Sequence, residues 1–239
     1  MEDAVRLALY LVVLAYSCIL HECAHVWVAL KLGDPTGKLE GRLTLNPIPH
    51  IDFFWTILLP TLTYVFSGLP FGGPKPAPVN PLNFKDPRSG FMWTAVAGPA
   101  TNFLLAGLGL GFLGLLFAVA PGFLYSGGDV DTPVTLTVNS LFFANLLFTN
   151  ILLGAFNLIP VPPLDGSRFL RFLLGRRGEG VVDWVERLGF IPLFLVVYFL
   201  APHVLGPVIT TFADLLEILF GRQYASELVM AFFRPVFRS

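Results

Sequence analysis

The pentapeptide His21-Glu22-Cys23-Ala24-His25 has the residue types and spacing to hold a metal ion. In a helix, positions four apart share a face, so His21 and His25 present two imidazoles to one ion, a donor pair that suits zinc. Glu22 follows the first histidine directly, placed to take a proton from water activated there. The His-Glu-x-x-His pattern is only moderately specific, because it also arises by chance in soluble helices. Its location sharpens it. All three ionisable side chains lie inside an apolar run over residues 7–30, where a centrally placed charge costs ~2.5–3.5 kcal/mol.

A catalytic zinc takes a third protein ligand and keeps one position open. The only other histidines are His50 and His203, so the carboxylates come next. Asp165 stands out at the end of Asn157-Leu158-Ile159-Pro160-Val161-Pro162-Pro163-Leu164-Asp165-Gly166. It follows a long apolar stretch broken by prolines, and unwound backbone at membrane depth is tolerated only against protein or a water-filled cavity. Cys23 lies ~200° around the helix from His21 and is read as packing. His50, after Asn46-Pro47-Ile48-Pro49, is read as a loop hydrogen-bonding residue in preference to a fourth ligand or proton shuttle.

The elements that must carry these residues are membrane helices. The chain has 239 residues and is 55% apolar before its 23 glycines are counted; a soluble domain reaches ~45–50% with glycine included. Charged residues make up 13%, half the soluble norm of ~25%. A chain of this size cannot hide that much apolar surface from water, so its partner is the lipid bilayer. A net charge of −1 offers nothing to a nucleic-acid backbone. Cys18 and Cys23 share one apolar stretch and make no disulfide scaffold.

Residues 53–74, 91–128, 132–164 and 188–213 carry no Asp, Glu, Lys or Arg, and each is long enough for a crossing of ~20 helical residues. Helices are expected over about 5–32, 90–120, 139–158, 181–200 and 204–220. The first is read as retained despite a weak cleavage-like Ala15-Tyr16-Ser17. Leu39, Leu43 and Leu45 alternate over 38–45, a strand signal, whereas the proline-rich loop 72–81 fits neither helix nor central strand. The expected fold class is an all-α polytopic membrane protein of about five to six membrane helices, with a small β element and a re-entrant segment. Residues 1–175 are expected to form the membrane core and 176–239 the C-terminal helices and tail.

Short-loop basic residues mark the cytoplasmic side. Residues 161–180 contain Arg168, Arg171, Arg176 and Arg177, read as interfacial anchors, while 121–138 contain only Asp129 and Asp131. Asp165 is then cytoplasmic, helix 1 runs inward, and the last two helices return the tail to the inside. Both flanks of 53–71 fall on one side, so that stretch is expected to re-enter or lie in the interface. Gly107, Gly109, Gly111 and Gly114 are read as sites of close helix approach.

Three segments, in this order and placement, resemble the site-2 protease family of intramembrane zinc metalloproteases (peptidase family M50). They are His21-Glu22-x-x-His25, Gly98-Pro99-Ala100-Thr101-Asn102 and Asn157-x-x-Pro160-x-x-Pro163-x-Asp165-Gly166, and the resemblance covers about residues 5–175. It implies that His21, His25 and Asp165 bind one zinc ion, that Glu22 is the general base, and that Asn157 and Asn102 position the substrate or its oxyanion. It implies a membrane-protein substrate cleaved in or near a transmembrane helix. A multi-pass protein of the cell membrane follows, with its site toward the cytoplasm. The chain shows neither a PDZ insertion nor a nucleotide-sensing tail, and its gap between His25 and Gly98 is long. A non-catalytic zinc-binding scaffold would not need Glu22; a metal or proton transporter would use midplane histidines, but no paired repeat is present.

Overall fold

Backbone buried in lipid must satisfy its own hydrogen bonds, so apolar runs of this length become helices. The computed structural model describes residues 2–58, 61–62, 73–127, 134–189 and 191–233. Helix α1 (Glu2–Lys31) carries the pentapeptide and ends where Gly33 turns to φ 112° ahead of Pro35. A single turn, α2 (Thr36–Leu39), follows. Helix α3 (Pro87–Val119) begins behind Asp86, whose carboxylate accepts the Arg88 backbone N–H at 3.2 Å. Next come α4 (Val138–Asn157), α5 (Asp165–Leu174), α6 (Arg176–Arg187), α7 (Ile191–Leu200), α8 (Ala201–Phe220) and α9 (Arg222–Phe233). Among the described residues, α1, α3, α4 and the 203–220 part of α8 are long and apolar enough to cross a membrane, and α7 is a shorter apolar helix. The fold is an all-α polytopic one, as the composition requires.

The chain divides into two compact units. The first comprises Met1–Leu14, Asn102–Phe156 and Leu193–Ser239. Its centre is α4, whose Leu147, Phe148 and Ile151 pack with Ala106 and Leu113 of α3, Leu216 of α8 and Leu228 of α9. Lipid tails are as apolar as these side chains, so close packing across small residues does the work that water exclusion does elsewhere. A methyl on Gly109 would stand 3.3 Å from the Leu147 backbone nitrogen, and one on Gly154 would stand 2.9 Å from the Phe103 ring. Gly107, Gly111 and Gly114 face open space instead, so of the four expected close approaches only Gly109 makes one.

The only β structure among the described residues is Tyr125–Ser126 paired antiparallel with Thr135–Leu136. The end of α8 and start of α9 pack there too: the rings of Phe220 and Tyr224 lie tilted against Phe117, and Tyr224 against Tyr125. This corrects the expected course of the C-terminal segment. Residues 181–200 are not one helix, because Gly189 at φ 65° breaks the chain after α6. From Ile191 the path runs on into α8 across Ala201-Pro202, since a proline in the first turn of a helix needs no N–H. Arg222, which opens α9, lies in the unit that holds the 121–126 turn.

The second unit comprises Ala15–Thr101 and Asn157–Pro192. Residues 38–45 are not a strand. Leu39 closes α2, and Gly41 at φ 70° turns the chain so that Arg42 points inward, 2% exposed, and donates to the Pro49 and Lys75 carbonyls. Burying a guanidinium on backbone acceptors overrides the leucine alternation. Most of 53–71 lies outside the described residues, but its described flanks meet: Gly73 N–H donates to the Trp55 carbonyl at 3.0 Å and Thr56 Oγ1 to the Gly73 carbonyl at 2.9 Å.

Candidate metal centre

Helical spacing sets His21 and His25 on one face of α1, with their Nε2 atoms 3.0 Å apart. Asp165 opens α5 after the proline-broken segment and brings Oδ2 to 3.1 Å from His21 Nε2 and 3.2 Å from His25 Nε2. All three residues are buried. Among the described residues, they are the group of histidine, cysteine or carboxylate side chains able to hold a metal ion.

The donor set fits zinc. Ligands on bonds of ~2.0–2.1 Å at tetrahedral angles stand ~3.3 Å apart, close to the observed triangle. Two nitrogens and one oxygen leave a fourth position open. His25 Nδ1 lies 2.7 Å from the Thr94 carbonyl, an acceptor that draws the ring proton to Nδ1 and leaves Nε2 free to ligate. Arg168, read from sequence as an interfacial anchor, places Nη1 3.7 Å from Asp165 Oδ1 and stacks over Phe91 at 4.9 Å.

Two glycines make this geometry accessible. A methyl on Gly98 of α3 would stand 2.5 Å from both Nε2 atoms, so α3 packs its bare backbone against the imidazole pair. A methyl on Gly166 would overlap the Leu158 and Ile159 carbonyls, so the first turn of α5 can tuck under the segment before it only as glycine. Gly98 and Gly166 occur in the sequence motifs, but neither has a side chain to announce a role.

Glu22 is half-buried, and its Oε2 accepts the Ala77 backbone N–H at 2.7 Å. Asn157 is the half-buried last residue of α4. Asn102 is fully buried and donates Nδ2 to Asn150 Oδ1 at 2.8 Å. Cys23 turns to the loop, its Sγ donating to the Thr44 carbonyl at 3.2 Å. His50 is buried with Nε2 2.9 Å from that same carbonyl, and His203 Nδ1 lies 2.8 Å from the Phe199 carbonyl; neither joins the metal-binding group.

Comparison with known proteins adds to this geometry. The profile of peptidase family M50 matches residues 124–198. "Putative zinc metalloprotease YwhC" of Bacillus subtilis is 37% identical over 230 residues, spanning 95% of this chain and 94% of the relative. A protein of Mycolicibacterium smegmatis named "Putative zinc metalloprotease Rip2" is 28% identical, over 78% of this chain and 64% of its own length. "Zinc metalloprotease MJ0392" of Methanocaldococcus jannaschii is 27% identical, over 74% of this chain and 38% of its own length. No solved structure matches the chain significantly. Similarity to YwhC over nearly its whole length, joined to a buried His-His-Asp triangle on membrane helices, places this chain in peptidase family M50, the site-2 protease family of zinc metalloproteases, as an integral membrane protein.

Proposed function

We propose that this protein hydrolyses peptide bonds within or near the transmembrane segments of membrane-protein substrates, from a site toward the cytoplasmic face of the cell membrane. The observation that carries this reading is the placement of His21, Glu22 and His25 on α1, a helix long and apolar enough to span the bilayer, with Asp165 beside the imidazoles.

Zinc, when bound by His21, His25 and Asp165, supplies Lewis acidity that activates water and polarises the scissile carbonyl. Glu22 takes the proton of the attacking water and delivers it to the leaving amine. Thr94 holds His25 in the tautomer that leaves Nε2 unprotonated, and Asp165 offsets positive charge at the centre. Asn157 receives the role of holding the substrate carbonyl. Asn102 acts less directly, since its amide is engaged by Asn150. A substrate helix hides its amides in its own hydrogen bonds, so it must unwind before attack. The cytoplasmic placement rests on the four arginines of 161–180.

The test is cleavage of single-span reporter proteins by the purified enzyme in proteoliposomes. Wild type is expected to cut within or next to the span, and Glu22→Gln to bind zinc normally while losing at least ~10²-fold in rate. A Glu22→Gln variant as active as wild type, or cuts confined to soluble domains, would overturn the proposal.

A further inference from the structure

Along the proline-rich loop 74–80, Pro74, Pro76 and Pro78 have no backbone N–H to give. Three of the remaining donors have defined destinations. Lys75 N–H reaches the His50 carbonyl at 2.8 Å, Ala77 N–H reaches Glu22 Oε2 at 2.7 Å, and Asn80 N–H reaches Asp34 Oδ2 at 2.7 Å. The outer two are anchors on a rigid base. His50 is 2% exposed and Asp34 is 1% exposed. The Lys75 carbonyl is also held by the buried Arg42 guanidinium, and Asp34 Oδ1 takes further donors from Thr36 and from Asn83 Nδ2. Alternating prolines fix φ and stiffen the span between the anchors. Within this span the Ala77 amide ends on a carboxylate oxygen of Glu22.

We propose that the 74–80 strap is a positioning device for the general base: the Ala77 N–H holds Glu22 Oε2 and leaves Oε1 to receive the proton of water. This rests on Glu22 being the base. A hydrogen bond from an amide to a charged carboxylate is among the stronger ones available. It removes the rotation that would otherwise blur the second oxygen's position, where small misplacement costs rate heavily. Asp34 and Arg42 then act at one remove, by setting the height of the strap over α1.

Hydrogen exchange of the full-length protein, with alanine and asparagine selectively labelled with nitrogen-15, reads the contact without any substrate. In Glu22→Ala, the Ala77 amide should exchange at least about tenfold faster than in wild type, while Asn80 keeps its protection. Unchanged exchange at Ala77 overturns the contact. For catalysis, Ala77→Pro deletes the donor, and replacing Ala77 by its hydroxy-acid analogue deletes it without constraining φ should the proline variant fail to fold. Either should keep wild-type zinc content and KM on a single-span reporter and lose about ten- to hundredfold in kcat. In a Glu22→Asp background, too short to meet the strap, the same change should cost nothing further. Equal losses in both backgrounds, or no loss while Glu22→Gln is inactive, overturn the strap but leave the base assignment standing. An active Glu22→Gln overturns the base assignment itself.

Discussion

Gly98 on α3 lies so close to His25 on α1 that a methyl at Gly98 would stand 2.5 Å from His25 Nε2, inside any real contact distance. Gly98→Ala therefore displaces the imidazole pair, although in an exposed helix interior the same exchange is favourable by ~1 kcal/mol. The expected result is at least about a tenfold loss of zinc affinity, measured by metal analysis after competition with a chelator. Gly107→Ala, which faces open space on the same helix, should bind zinc as wild type does.

Three residues from two distant parts of the chain supply the donor triangle. Purified wild type should carry about one zinc per chain. His21→Ala and Asp165→Ala should each lose it, because two remaining ligands do not make a site. Wild-type metal content in Asp165→Ala would remove Asp165 from the ligand set.

Asp34 is buried, which alone would raise its pKa, yet donors from Thr36, Asn83 and Asn80 hold its carboxyl below the usual range. A depressed folded-state pKa gives stability that is present above the unfolded value of about 3.9 and is lost as pH falls through the folded one. Melting of wild type and Asp34→Asn should therefore differ most above pH ~5, with the gap closing as pH drops below ~4. A gap independent of pH would show that the carboxylate's charge contributes nothing.

The Asn102–Asn150 amide pair links α3 and α4 with both side chains fully buried. Asn150→Leu leaves the Asn102 amide short of this partner and should destabilise by about 1–2 kcal/mol in detergent unfolding. Replacing both by Leu should cost less than the two single changes added together. Strict additivity would mean the pair is not coupled.

What the amino-acid sequence determined by itself was local. The i, i+4 imidazoles, the glutamate beside them and the long charge-free runs are periodic or compositional, and an apolar run in lipid has little choice but to become a helix. Helix ends at Gly33 and Pro35, and after Asn157 ahead of Pro160, follow from backbone chemistry carried by single residues. Tertiary structure decided the rest. The alternating leucines of 38–45 lose to the burial of Arg42, and a two-residue ladder at 125–126 and 135–136 is too short to show a period. Asp165 stood out by its setting, but only packing brings its carboxylate to the imidazoles. Gly98 and Ala77 act through a missing side chain and a backbone N–H, which no residue type advertises. Contacts between segments far apart in sequence depend on how whole helices pack, and no local pattern encodes that.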